Sequence, residues 1–124
     1  VGSTGRVTYE LRDTGPVLVK TLDYLFVDDK AGKPAGIHQF IGRRPIIAFG
    51  NSDGDLQMLE YTTIDNPQPS LGVLIHHTDA VREYQYDVNP TSSGTLVEAL
   101  ADAQQRGWNV VSMKDDWEQI FSAP

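Results

Sequence analysis

The period of the hydrophobic pattern changes several times along this chain, and each change marks an element. From Arg6 to Arg12 polar and apolar residues alternate, Asp13-Thr14-Gly15-Pro16 supplies turn chemistry, and Val17 to Lys20 resumes the extended pattern. These segments read as a β-hairpin. Leu22 to Val27 gives another short extended segment that ends in the acidic pair Asp28-Asp29. Further on, Ile37, Phe40 and Ile41 fall at i, i+3 and i+4, and Pro34 suits a first helical turn. A short amphipathic helix is expected there, with Lys33 at its N-terminal end and Gly42-Arg43-Arg44 closing it.

Pro45-Ile46-Ile47-Ala48-Phe49 shows no alternation and reads as a buried parallel strand, whereas Leu56 and Leu59 are spaced as on a helix face. The helix is expected from Leu56 to about Tyr61, the polar run Thr62 to Ser70 as a loop, and Leu71 to His76 as the next strand. Strand, helix and strand in that order make a βαβ unit. His77 to Ser93, with Tyr84, Tyr86, Asn89 and Pro90, is irregular and is expected to cover one edge of the sheet. Thr95 and Glu98 have capping-box spacing and open a helix from Leu96 to Arg106, which Gly107 stops. Trp108 to Met113 forms a last strand, and Asp115 to Phe121 a closing helical turn or two.

At 124 residues and 40% hydrophobic content the chain has material for one core, so a single soluble globular domain is expected. No window approaches the roughly 20 apolar residues that span a bilayer, and Val1 to Gly5 lacks a charged-then-apolar signal pattern. No membrane partner is expected. The absence of cysteine excludes disulfides, thiolate zinc sites and a cysteine nucleophile. A net charge of −7 argues against a nucleic acid partner, because phosphate backbones demand a basic surface. A phosphorylated small molecule stays compatible, since a metal ion and one lysine override the global field locally. The chain opens on Val1 rather than Met, which reads either as a start inside a larger parent or as processing or a tag remnant.

Candidate chemistry concentrates between the central strand and its helix, in Gly50-Asn51-Ser52-Asp53-Gly54-Asp55. Ligand sites of open α/β sheets lie at the carboxyl ends of strands. Carboxylates gathered there repel one another unless a cation or proton offsets them, and a hard divalent cation with oxygen ligands is the simplest answer. The plainer reading is a solvated turn with a helix cap, for Ser52 and Asp55 have capping-box spacing. His76 and His77 are adjacent on a strand and point to opposite faces, so they make a poor metal pair. Arg43-Arg44 reads as a basic loop balancing an acidic protein, and Trp108 and Trp117 as packing residues. No Ser-His-Asp arrangement or Gly-rich nucleotide loop is legible.

The stretch Gly50-Asn51-Ser52-Asp53-Gly54-Asp55-Leu56-Gln57-Met58-Leu59 resembles the last motif of haloacid dehalogenase superfamily phosphatases. That motif usually reads Gly-Asp-x-x-x-Asp or Gly-Asp-Gly-x-Asn-Asp before an apolar helix start. Upstream, Asp28-Asp29-Lys30-Ala31-Gly32-Lys33-Pro34-Ala35-Gly36-Ile37 resembles the family's third motif, a lysine heading the helix before that strand. Similarity to the phosphoserine-phosphatase-like branch, which includes nonspecific acid phosphatases, runs through most of the chain to Lys114-Asp115-Asp116-Trp117. It implies an α/β, Rossmann-like, three-layer half-domain with a short parallel sheet and an N-terminal β-hairpin. Residues 1–27 would form the hairpin and 28–124 the core with the third and fourth motifs.

The resemblance implies roles for particular residues. Lys33 would be the catalytic cation, binding phosphate and neutralising a phosphorylated aspartate. Asn51 would share in phosphate binding, and Asp55 with Asn51 or Asp53 would hold Mg²⁺, directly or through waters. Asn51 is a departure, because the family places its first metal-binding Asp at that position and an amide oxygen brings no charge. The larger departure is that no segment matches the Asp-x-Asp-x-Thr/Val motif that carries the nucleophile, so the covalent route lacks its attacking group. The resemblance therefore implies the C-terminal portion of a magnesium-dependent phosphomonoester hydrolase, inactive unless complemented. The alternative is a non-catalytic binding or assembly module. Either way a half-sheet exposes an edge and apolar faces, so a homo-oligomer or binding to a missing N-terminal half is expected.

Overall fold

In a computed structural model that describes residues 1–86 and 94–121, the period-two segment at the start becomes one long hairpin. Strand β1 (Thr4–Arg12) pairs antiparallel with β2 (Gly15–Phe26) across the two-residue turn Asp13-Thr14. The two extended segments expected at Val17 and Leu22 are a single strand, because pairing continues through Gly5 with Tyr24 and Thr4 with Phe26. Two register shifts between Thr4 and Val7 absorb the extra residues of β2. All of β1 is exposed, and Tyr9, Leu11 and Leu18 stand uncovered on the same face. At the base, the Phe26 ring meets Phe40 edge-on at 5.7 Å and ties the hairpin to the first helix.

The remaining elements are α1 (Gly32–Ile41), β3 (Ile47–Gly50), α2 (Leu56–Thr63), β4 (Leu71–His76), α3 (Glu98–Arg106) and β5 (Asn109–Ser112). The strands form a parallel sheet in the order β3-β4-β5. The chain is thus mixed α/β, with a short three-stranded parallel sheet beside an antiparallel hairpin, an arrangement compatible with a Rossmann-like fold. Gly42 and Gly107 end α1 and α3 in the left-handed region, at φ 71° and 68°, as their positions in the sequence suggested.

Strand order follows chain order, so the winding never reverses, and α2 and α3 pack in one cluster against the sheet. Their contact with the sheet makes the core: Leu59, Leu74, Leu96 and Ala99 are fully buried, with Ala48, Ala103 and Trp108 around them. Gly72 belongs to this packing, because a Cβ there would lie 2.6 Å from the Trp108 indole. The indole N–H in turn donates to Thr63 Oγ1 at 2.8 Å.

Several expectations are corrected. The apolar run at β3 predicted burial on both sides and, with the resemblance, three layers; the described residues make two. Ala48 and Gly50 face the helices, but Ile47 is 52% and Phe49 61% exposed on the opposite face. Residues 115–121 form turns and bends rather than a helix. They are held by Asp116 and Asp115, which accept from Ser112 N at 2.8 Å and Ser112 Oγ at 2.7 Å. Arg82 donates to four carbonyls of that turn: Met113, Lys114, Trp117 and Glu118. The same guanidinium pairs with Asp79, whose carboxyl sits at about 2; the Arg82 backbone N–H contributes most and its side chain next. Residues 87–93 of the expected edge segment, Asn89 and Pro90 among them, lie outside the described residues.

Arg44 is likewise no free basic loop. Its guanidinium donates to the carbonyls of Tyr61, Ile64 and Asp65 and lies 5.3 Å over the Tyr61 ring, closing the C-terminal end of α2 where carbonyls lack partners. Leu59→Ala should cost about 2–5 kcal/mol in urea unfolding, through the cavity it opens. Leu18→Ala, on the uncovered hairpin face, should change stability by no more than about 0.5 kcal/mol.

Candidate functional site

At the carboxyl end of β3 the chain turns through Asn51 and Ser52 and makes one 3₁₀ turn, Asp53–Asp55, before α2. Ser52 is extended and forms the capping box with Asp55 that the spacing suggested. The Asp55 carboxylate divides its work between its two oxygens. Oδ2 accepts from Asn51 N at 3.0 Å, Ser52 N at 3.2 Å and Ser52 Oγ at 3.4 Å. Oδ1 lies 3.3 Å from Lys33 Nζ. The cap and the charged site, alternatives in the sequence, are two faces of one carboxylate.

Lys33 reaches this carboxylate because a tight turn delivers it. Gly32 N donates to Asp29 O at 2.8 Å and Lys33 N to Lys30 O at 3.0 Å, with Lys30 itself left-handed at φ 48°. One backbone bond, Lys30 N to Gly54 O at 3.0 Å, stitches this turn to the 3₁₀ turn. An open cleft of about 300 Å³ borders Lys33, with Asp28, Ile37 and Met58 on its walls.

Asp53, expected as an alternative to Asn51 in holding the metal, has its carboxylate at the start of α3. Its carboxylate accepts from Thr95 Oγ1 at 2.8 Å, from Val97 N at 3.0 and 3.1 Å, and from Ala99 N at 3.0 Å. Burial pushes its pKa up, but the hydrogen bonds from Ala99, Thr95, Val97 and Glu98 outweigh that, and the net shift is downward. Asp53 therefore caps α3 from across the fold. The capping box expected of Thr95 and Glu98 is corrected accordingly: α3 begins at Glu98 after Val97, and Thr95 serves the helix by donating to Asp53. Asp55, by contrast, serves its own turn and Lys33.

Asn51 has a partner that pattern reading missed. Its Nδ2 donates to the Tyr86 hydroxyl, which donates to the Asn51 carbonyl at 3.0 Å. Tyr86 is buried, and its ring stacks on His77 at 4.9 Å and 20°. His77 Nδ1 is hydrogen-bonded to Glu83 Oε2 at 2.7 Å. Burial raises the Tyr86 pKa and the charges of Asp55 and Glu83 add to it, against the Asn51 hydrogen bond, so the phenol stays protonated at neutral pH. No periodicity announces Tyr86; only its place in the polar run after β4 could have drawn attention to it.

Among the described residues, no group of three or more His, Cys, Asp or Glu side chains converges on a point where a metal ion could sit. Lys33 faces the Asp55 carboxylate and shares its cleft with Asp28, while Asn51 is tied to Asp55 through its backbone N–H. A scan against protein-family models finds no match to this chain, and neither does a search of the curated proteins.

Asp53→Ala should cost about 1 kcal/mol at neutral pH, the usual worth of a helix cap. Because the native pKa is depressed, that advantage is present above the unfolded value of about 3.9 and is lost as pH falls through the lower native value. Urea unfolding of both proteins from pH 7 to pH 2 should show the gap closing.

Proposed function

We propose that the α/β part of this chain is the phosphate- and magnesium-binding portion of a haloacid dehalogenase-type phosphomonoester hydrolase, whose attacking aspartate comes from another segment or chain. The observation that carries this reading is the contact between Lys33 Nζ and Asp55 Oδ1 at 3.3 Å, at the carboxyl end of β3. It joins the two sequence motifs that carry the family resemblance. Lys33, at the head of α1, holds a phosphate oxygen and offsets the charge that the carboxylates gather. Asp55 and Asn51 suit Mg²⁺, which keeps several waters and takes few protein ligands. When bound, the ion neutralises charge on the phosphoryl oxygens. Asp53 ties the N-terminus of α3 to the same turn.

The second reading, a self-associating module, is favoured by the open face of β3. Ile47 and Phe49 there, with Tyr9, Leu11 and Leu18 on the hairpin, form apolar surface that a second copy or a complementary half would cover. The two readings share the site and differ in what completes it.

With Mg²⁺, the chain alone should not hydrolyse p-nitrophenyl phosphate. Inorganic phosphate binding, followed by ³¹P NMR, should weaken about tenfold or more in Lys33→Ala and Asp55→Ala and stay unchanged in Arg43→Ala. Turnover by the chain alone would overturn the claim of a missing nucleophile. Phosphate affinity indifferent to both substitutions would overturn the site, and a mass above the monomer by light scattering without any phosphate binding would leave the assembly reading.

A further inference from the structure

We propose that Tyr86 is a positioning residue that fixes which end of the Asn51 amide is presented as an oxygen ligand; this rests on the metal reading of the site above. An asparagine amide has a donor end and an acceptor end of nearly equal size, so an asparagine in a metal site is useful only if something sets its orientation. A carboxylate has no such problem, because its two oxygens are equivalent. The Tyr86 hydroxyl carries a single proton, and it is given to the Asn51 backbone carbonyl at 3.0 Å. What the hydroxyl then offers the side chain is lone pairs, which accept from Nδ2 and reject Oδ1. One phenol thus reads both the backbone and the side chain of Asn51. Oδ1 is left as the other branch of the amide.

Tyr86 can impose this orientation because it is itself held. Its ring is only 6% exposed and stacked on His77, whose Nδ1 is fixed by Glu83, and its backbone N–H donates to His77 O at 3.2 Å. Asn51 in turn is tied to the other oxygen donor, its N–H donating to Asp55 Oδ2 at 3.0 Å. The segment after β4 therefore reaches back to the end of β3 and sets the polarity of one side chain there. Outer partners of this kind usually matter to metal affinity by about ten- to a hundredfold.

The test is a double-mutant cycle on the full chain, with Mn²⁺ binding read by water-proton relaxation and Mg²⁺ by competition. Tyr86→Phe should weaken metal binding about tenfold. Asn51→Asp should strengthen it, and in that background Tyr86→Phe should change affinity by less than about twofold, since a carboxylate needs no orienting. Equal losses in both backgrounds would make Tyr86 merely structural and overturn the proposal, as would no loss in either. Hydrogen exchange of the Asn51 side-chain amide by NMR supplies a readout independent of metal. Protection in the wild-type chain that is lost in Tyr86→Phe supports the orientation, and equal exchange in both overturns it. Absence of Mn²⁺ binding in both wild type and Asn51→Asp would sink the metal reading instead, and the exchange measurement would still decide whether Tyr86 orients the amide.

Discussion

The turn after β3 depends on two carboxylates, two residues apart, that face in different directions. Asp53 is drawn to the N-terminus of α3 and satisfies donors that would otherwise be unpartnered. Asp55 folds back over its own turn with one oxygen and leaves the other for Lys33. Were both to face the same way, their repulsion would raise each other's pKa and one helix would lose its cap. Dividing them lets a single loop end β3, start α2, anchor α3 and still present a charged pair at the sheet's carboxyl edge.

The same loop gathers the rest of the molecule. Lys30 joins it through a backbone bond, which sets the head of α1, and Tyr86 joins it through both groups of Asn51. By contrast, the hairpin is tied to α1 at its base, where Phe26 meets Phe40. A two-stranded ribbon with an uncovered apolar face is marginal by itself, and an open face on β3 adds to that surface. β3 therefore belongs to both the core and the open surface: Ala48 packs in the core while Ile47 and Phe49 stand open on the other face.

Arginines carry much of the remaining long-range order. Arg44 closes α2 by taking up three carbonyls, and Arg82 gathers four carbonyls of the turn after β5 while pairing with Asp79. Each planar fork of donors satisfies several acceptors at once, which a lysine could not do with the same geometry. Arg44 read as surface balance in the sequence because its partners are backbone atoms, and backbone carbonyls leave no mark in a residue pattern.

What the sequence determined by itself was local: the hairpin turn, the β3-turn-α2 unit, the βαβ order, the glycine stops of α1 and α3, and Lys33 at a helix start. Period, turn chemistry and capping spacing act over a few residues, so one stretch of chain suffices to read them. Tertiary structure alone decided which carboxylate caps which helix, that β3 buries only one face, and that Tyr86 holds Asn51. Those outcomes join residues 35 to 46 positions apart, Asn51 with Tyr86 and Asp53 with Ala99. An aspartate at a turn reads the same whether it serves its own helix or another; only packing brings the distant N–H groups within reach of one and the lysine within reach of the other.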